Sequence, residues 1–237
     1  MDLMHTKYLG HDMYVFGSVL GLLCHYILPG TPEENARTCG NYLKRFYKEK
    51  KIPSAYRYLT KISMFWREGR FPKLRGKASE VRHLAKPLAS LWRQHMNKNL
   101  LTHRQVDLYL RLNIQFESIL GDHSRHFALP PAARTAFVDC AFSMMQLCSQ
   151  LATHFIDEAI PMFDMTSKVH MVVHIALLSK WINPRCAWCF RGEDMMQKVQ
   201  FLLQSCVRGN HGALCFRTMV AHYRLGLHLL FMDQHRD

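Results

Sequence analysis

Hydrophobic residues in this chain recur at three- and four-residue spacing over long segments, and these segments end at proline or glycine. That spacing places side chains on one face of an α-helix, whereas the alternation typical of half-buried strands is hard to find. The clearest stop signals are Pro29-Gly30, Pro161 and Asn183-Pro184. We therefore predict a mainly α fold of about eight to nine helices.

Two segments resemble capping boxes, Thr31-Pro32-Glu33-Glu34 and Thr102-His103-Arg104-Gln105. In this motif two side chains bond the free amides of the first helical turn. Residues 67–76 are predicted to form a basic loop. The predicted helices cover about 11–27, 31–50, 54–66, 77–96 with a kink at Pro87, 102–120, 130–157, 168–182, 193–208 and 214–232.

Positive charge is concentrated in one part of the chain. The formal net charge is +13, and residues 37–104 contain 18 Lys and Arg against three acidic residues. By composition the chain divides into a basic helical region, 1–104, and an apolar, near-neutral helical region, 105–237. Such clustering favours a polyanionic partner, either nucleic acid or an anionic membrane surface, and we expect DNA.

The cations of the basic region are the candidate DNA contacts, because Lys and Arg neutralise phosphates without reading base sequence. Aromatic residues interleave with them, and we interpret most of these as core residues of amphipathic helices. The sequence has no recognisable zinc finger, basic zipper, Walker loop or dinucleotide fingerprint. The assigned cations are Lys44, Arg45, Lys48, Lys50, Lys51, Arg57, Lys61, Arg67, Arg70, Lys73, Arg75 and Lys77.

Cysteines and apolar segments indicate where the chain resides. Most of the eight cysteines lie within apolar helical patterns, which is typical of reduced intracellular proteins. The most apolar run, 13–28, is short for a membrane span, and no signal peptide is recognisable. We therefore expect an intracellular protein without a membrane partner, which is nuclear if it functions on DNA.

Two pairs of residues have the spacing of metal ligands. His170 and His174 are four residues apart, so both imidazoles lie on one helix face and could share a metal ion. Cys186 and Cys189 form a C-x2-C turn, which binds zinc or acts as a redox pair. The four residues could form a structural zinc site. The alternative is a packed or exposed histidine pair and two buried thiols flanking Trp188.

Two further groups of residues give weaker signals of metal binding. Asp2 and His5 share a face if a helix begins at the start of the sequence. Glu193 and Asp194 lie in the predicted first turn of a helix, where acidic side chains usually compensate the helix dipole. Beside a metal-binding helix pair, such a carboxylate could instead ligate a catalytic Mg²⁺.

Taken in order, these residues resemble a known family. The segments Asp2-Leu3-Met4-His5, Leu9-Gly10 and Gly17-Ser18-Val19-Leu20 resemble the D-x-M-H … G-[ST]-x-L region of CACTA (En/Spm-like) DDE transposases. The later residues resemble the pattern that follows the core of those proteins, FFD…HL…HL and then GP…RW…FE…M…LK. Here they are Met162-Phe163-Asp164, His170, His174, Asn183-Pro184-Arg185, Trp188, Phe190, Glu193, Met196 and Lys198.

Two departures from the family pattern stand beside this resemblance. Arg191-Gly192 separates Phe190 from Glu193, whereas the family has adjacent Phe and Glu. Cys186 and Cys189 are outside the family pattern.

The resemblance implies the helical insertion of an RNase H-like transposase rather than its sheet core. Asp2, His5, His170 and His174 would form a structural metal site, and Glu193 would be the last catalytic carboxylate. In this family three carboxylates hold two Mg²⁺ ions, and the two aspartates would lie upstream of Asp2. The implied function is a transposase-derived DNA-binding fragment that is catalytically incomplete.

Two other functions are compatible with the residues alone. One is a helical nucleic-acid-binding protein without metal chemistry. The other is a zinc-stabilised helical interaction module that uses His170, His174, Cys186 and Cys189. Neither of these would be an enzyme.

Overall fold

The computed structural model describes residues 2–52, 54–57, 59–207 and 212–234, without the side chains of residues 191, 193, 194, 213, 230 and 234. Within these ranges the structure contains nine α-helices and no strands, which confirms the predicted fold class. The chain divides into two compact units, Met1–Trp188 and Cys189–Asp237. None of the helices in the described ranges is long and apolar enough to span a bilayer.

The first unit begins with one long helical run. A π-helical segment, Met4–His11, leads into α1, Asp12–Leu22, and a second π-helical segment, Leu23–Ile27, follows. The predicted helix over 11–27 is confirmed, and the run begins earlier than predicted. Every residue of α1 except Tyr14 is buried, so the rest of the unit packs around this helix.

The second helix, α2, spans Pro32–Lys50, and its predicted capping box is confirmed. Glu34 N donates to the Thr31 hydroxyl at 3.3 Å, and Thr31 N donates to the Glu34 carboxylate at 3.0 Å. Helix α2 ends at Lys51, whose left-handed φ of 49° stops the helical hydrogen bonding.

The helix predicted from Ser54 to Trp66 is wrong. In the described part of this segment the chain forms only one short 3₁₀ turn, Ile62–Met64. The backbone groups bond across a loop instead of along a helix, since Lys73 N donates to Phe65 O and Arg75 N donates to Met64 O. The predicted basic loop over 67–76 is confirmed.

The kinked helix predicted over 77–96 is two helices, α3, Ala78–Arg82, and α4, Ala85–His95. The break precedes Pro87 instead of falling at it. Proline lacks an N–H group, and it is best tolerated in a first helical turn, where no intrahelical partner is needed. Pro87 therefore lies in the first turn of α4.

Three long helices complete the first unit. They are α5, Leu101–Asp122, α6, Pro131–Asp157, and α7, Ser167–Leu178. Helix α5 packs between α4 and α6, and α7 packs against α6 and the opening π-helical segment. The capping box predicted at Thr102 is wrong, because α5 begins one residue earlier and its N-cap, Leu100, offers no polar side chain.

The second unit is a pair of helices that pack against each other. They are α8, Phe190–Val207, and α9, Gly212–Gln234. Cys206 and Cys215 are buried between them, and Cys215 Sγ donates to Cys206 O at 3.2 Å. The helices predicted over 193–208 and 214–232 therefore form, with different ends.

Candidate nucleic-acid interface

The cations assigned to DNA contact all lie on the surface, and every one of the twelve is exposed. The aromatic residues between them differ from one another in exposure. Tyr47, Tyr56 and Phe65 are buried, whereas Phe71 is 36 % exposed. Tyr42, Phe46 and Trp66 are partly buried, so the interpretation as core residues is confirmed for three of the seven described aromatics, and the charges face solvent.

Helix α2 separates its apolar and basic faces. Ala36, Leu43 and Tyr47 are buried and lie about one or two turns apart on one face. Lys44 and Lys48 are exposed, four residues apart, and project from the other side. The helix thus presents a row of ammonium groups while its buried face anchors it to the unit.

The basic loop is fixed at both sides of its base. Lys73 N donates to Phe65 O at 2.8 Å, which closes the loop, and Leu74 N donates to Met13 O of α1 at 2.8 Å. At the tip, Gly69 adopts a left-handed φ of 69°, a conformation that glycine supplies without steric cost. The loop is therefore ordered by backbone bonds, although its cations are exposed.

Gly17 of α1 lets the basic loop approach the core. A Cβ atom at this position would lie 2.9 Å from Leu74 N and 3.0 Å from Lys73 N. Real Cβ atoms do not make such contacts with backbone, so any larger residue would push the loop outward. Gly17 is one of the residues that carry the family resemblance, and its role here is close backbone packing.

Ser18, the next residue of α1, fixes the other side of the same region. Phe163 N donates to the buried Ser18 Oγ at 2.8 Å. Phe163 has a left-handed φ of 54°, which costs a non-glycine residue on the order of 1 kcal/mol and persists only where surroundings enforce it. Its buried ring and the Ser18 bond supply that constraint, and they place Asp164 beside the loop.

A cleft of about 630 Å³ opens between these two sides, within the range of small-ligand sites. It is bounded by α1 at Met13 and Tyr14, by the basic loop, and by Asp164. Four of the predicted cations line it, and they are Arg67, Arg70, Lys73 and Arg75.

Asp164 gives the cleft a mixed charge. Partial burial raises the pKa of this carboxyl, and the nearby Lys73 ammonium opposes that shift. Lys73 Nζ also lies 5.0 Å from the ring centroid of Tyr14, a cation–π contact that holds the ammonium at the cleft wall. The cleft therefore offers cations, one carboxylate and aromatic surface to a ligand.

A second cleft, of about 390 Å³, lies where the end of α2 meets α3, α4 and α5. Lys50, Lys51 and Lys86 line it together with Arg82 and Glu117. Arg82 Nε donates to the Glu117 carboxylate at 3.0 Å, so part of its positive charge is neutralised within the protein.

Glu117 belongs to a buried ionic cluster that the charge pattern of the sequence does not predict. Lys7, which is wholly buried, donates to Asp12 at 2.7 Å and to Asn113 at 3.1 Å, and its ammonium lies 3.2 Å from Glu117 Oε1. Arg82 completes the cluster. Burial alone would raise the pKa of Glu117, but Lys7 and Arg82 together hold it below its usual value.

The sequence carries a faint signal of this cluster. Lys7 and Asp12 are the only Lys, Arg, Asp or Glu residues between residues 3 and 32, and they are five residues apart. That spacing brings side chains together in a π-helical turn but not in an α-helix, so a search at α-helical spacing passes over the pair.

The residues predicted to bind a metal form two separate pairs. His5 Nδ1 lies 2.6 Å from the Asp2 carboxylate, and His170 Nε2 lies 2.7 Å from His174 Nε2. Both histidines of the second pair lie on α7, within the predicted helix, and both are exposed. Among the described residues of the first unit, no three of these four side chains bring their ligand atoms within 4.8 Å of one another.

The alternative metal ligands and the predicted catalytic carboxylate lie in different parts of the chain. Cys186 is exposed in the first unit, and it does not come together with His170 and His174 in a cluster of three ligand atoms. Cys189 lies in the second unit. Glu193 is in the first turns of α8, and its side chain is outside the described part of the structure.

Comparisons with known proteins do not assign this chain to a family. No protein-family model, curated protein or solved structure matches this chain.

Proposed function

We propose that this chain is a transposase-derived helical unit that binds DNA through the cations of its basic region. The observation that carries the proposal is that all twelve assigned cations are exposed, and that four of them line one ordered cleft. In this proposal the cations neutralise phosphates and release counterions, which gives affinity with little dependence on base sequence.

The ordered loop supports binding rather than mere solubility. Charges that serve only solubility have no need of a backbone fixed by Lys73 N to Phe65 O and by Leu74 N to Met13 O. A fixed backbone means that less conformational entropy is lost when phosphates are bound. The loop therefore supplies positioned cations, and α2 supplies a row of them.

The transposase part of the proposal comes from the family resemblance. Under it, Glu193 is the last carboxylate of a magnesium centre in a complete transposase. The Asp2–His5 and His170–His174 pairs would supply the ligands of a structural zinc site, but no three of these four side chains bring their ligand atoms within 4.8 Å of one another, so the described arrangement does not fit one shared zinc ion. Gly17 and Ser18, which belong to the segment that carries the resemblance, have steric and hydrogen-bonding roles at the cleft.

Binding of a short labelled DNA duplex, measured by fluorescence anisotropy across a salt series, tests this function. We expect affinity to fall steeply between about 50 and 200 mM salt, since each phosphate contact contributes a slope of about −0.9 in log affinity against log salt. The double variant Lys44→Gln with Lys48→Gln should make the slope shallower by about 2 and weaken binding.

The matched control is Arg125→Gln with Lys180→Gln, which removes the same charge from exposed positions outside the basic region. It should leave the salt slope nearly unchanged. Equal losses for the two double variants would show that net charge rather than the basic region drives binding. Affinity that does not respond to salt would contradict the proposal outright.

A further inference from the structure

The cleft beside the basic loop contains more than a phosphate site needs. Its cations suit phosphate oxygens, but Asp164 would repel them, since like charges are unfavourable at short range. A carboxylate is an acceptor, so it suits a ligand that also carries N–H donors. Nucleobases have such donors on their edges, next to a phosphate.

We propose that this cleft takes an unpaired nucleotide of bound DNA, with its phosphate on the loop cations, its base against Phe71 and its donor edge toward Asp164. This inference rests on the DNA-binding function proposed above and names the part of the DNA that the cleft receives.

The base must be unpaired for two reasons. A cleft of about 630 Å³ has the size of a small-ligand site and cannot enclose a duplex. In a duplex, moreover, the donors of the Watson–Crick edge are engaged by the opposite base. Proteins that read a single base therefore take it out of the stack, and bases that are already unpaired are the cheapest to take.

Phe71 is the aromatic residue best placed for stacking. Phe65 also lines the cleft, but it is 1 % exposed and belongs to the core. The ring of Tyr14 is in contact with the Lys73 ammonium. Phe71 is 36 % exposed at the cleft and lies in the loop whose ends are fixed by backbone bonds.

The position of Asp164 is set in advance of binding. Ser18 Oγ accepts from Phe163 N, and the left-handed Phe163 directs the chain so that the following carboxylate lines the cleft. Because both the loop and this segment are fixed by α1, the nucleotide meets a preformed site and little ordering is needed on binding.

Three labelled duplexes test the inference. The first is fully paired, the second carries a single unpaired cytosine, and the third carries an abasic nucleotide at the same position. The full chain should bind the cytosine bulge at least about fivefold more tightly than either of the others, which is the low end of base–aromatic stacking. The abasic duplex separates recognition of the base from recognition of bent DNA.

Two variants locate the effect. Phe71→Leu keeps apolar bulk but removes the ring, and Asp164→Ala removes the acceptor. Each should lower the ratio of bulge to paired affinity, and the two changes together should bring it close to one. The matched control is Phe127→Leu, at an aromatic residue that is 71 % exposed outside the cleft, and it should keep the ratio of the unmodified chain.

The outcomes separate this inference from the function on which it rests. Equal affinity for all three duplexes, with the expected salt dependence, would overturn the nucleotide site and leave DNA binding standing. A bulge preference that survives both cleft variants would also overturn it. If the chain bound none of the three duplexes, the proposed DNA-binding function would be overturned as well.

Discussion

Lys7 and Lys48 carry the same ammonium group in very different surroundings. Lys7 is wholly buried and is held by Asp12, Asn113 and Glu117, whereas Lys48 is exposed on the outer face of α2. A buried charge is tied to the folded state because losing a partner leaves other charges uncompensated. An exposed charge contributes little to folding and is available to a ligand. The buried cluster should therefore control stability, and the basic region should control binding.

The largest effect on stability is expected for Lys7→Met. The variant keeps apolar bulk but leaves Asp12 and Glu117 without their shared cation, which should lower the free energy of unfolding by about 3–5 kcal/mol. Chemical denaturation at neutral pH measures it. The matched change Lys48→Met should stay within about 0.5 kcal/mol of the unmodified chain.

A double variant keeps this test informative if Lys7→Met does not fold. Lys7→Met with Asp12→Asn removes both charges of the closest pair, and it should recover part of the lost stability. A loss below about 1 kcal/mol for Lys7→Met alone would mean that the buried cluster is not the main electrostatic support of the fold.

A substitution at Gly17 tests the contrast between the buried cluster and the basic region. The basic loop is exposed, and yet its backbone is bonded to the buried helix α1 beside this residue. Gly17→Ala places a Cβ atom 2.9 Å from Leu74 N, so the loop must shift at a cost of about 2 kcal/mol. We expect DNA affinity to fall as well, because four cations move together with the loop. Thermal unfolding and the anisotropy assay measure the two effects.

Gly121 provides the matched control with the opposite sign. It lies in the last turn of α5, and a Cβ atom there would meet nothing within 4 Å. Gly121→Ala should therefore stabilise the chain by roughly 0.5 kcal/mol through reduced freedom of the unfolded state. If the two substitutions had the same effect, the close approach of the loop would not be what requires glycine at residue 17.

The helical framework is predictable from the sequence to the extent that local signals decide it. The Thr31 capping box and the start at Pro131 follow from side chains near the helix ends, and the mainly α class follows from the spacing of hydrophobic residues. The helix predicted from Ser54 fails because its backbone partners come from residues 73 and 75, which no local pattern reveals.

The candidate site, like the helical framework, is only partly predictable from the sequence. The exposure of the cations follows from their charge, and for those on α2 also from helical spacing, and both are properties of the sequence. The cleft does not, because it depends on Gly17 and Ser18 meeting two distant segments of the chain. Lys7 and Asp12 were missed for a related reason, since a π-helical turn pairs residues that an α-helical reading keeps apart.

His11 provides a pH-dependent test, at the edge of the buried cluster. Burial, and then the positive charge of Lys7, lower the pKa of His11 to about 3, and Tyr109 OH lies 2.8 Å from His11 Nε2. The unfolded chain binds a proton at this residue below about pH 6.5, whereas the folded chain does not until about pH 3. Stability should therefore fall as pH drops through this window.

The size of the His11 effect follows from the same linkage. At pH 5.5 it should amount to about 1 kcal/mol relative to neutral pH, and it should grow as the pH is lowered toward 3. His11→Gln retains an amide that can bond Tyr109 but does not titrate, so its stability should fall less over the same range. Denaturant titrations of both chains at a series of pH values measure this difference. If both chains lost stability in parallel, the acid sensitivity would come from other groups, and the burial of His11 would not be coupled to folding.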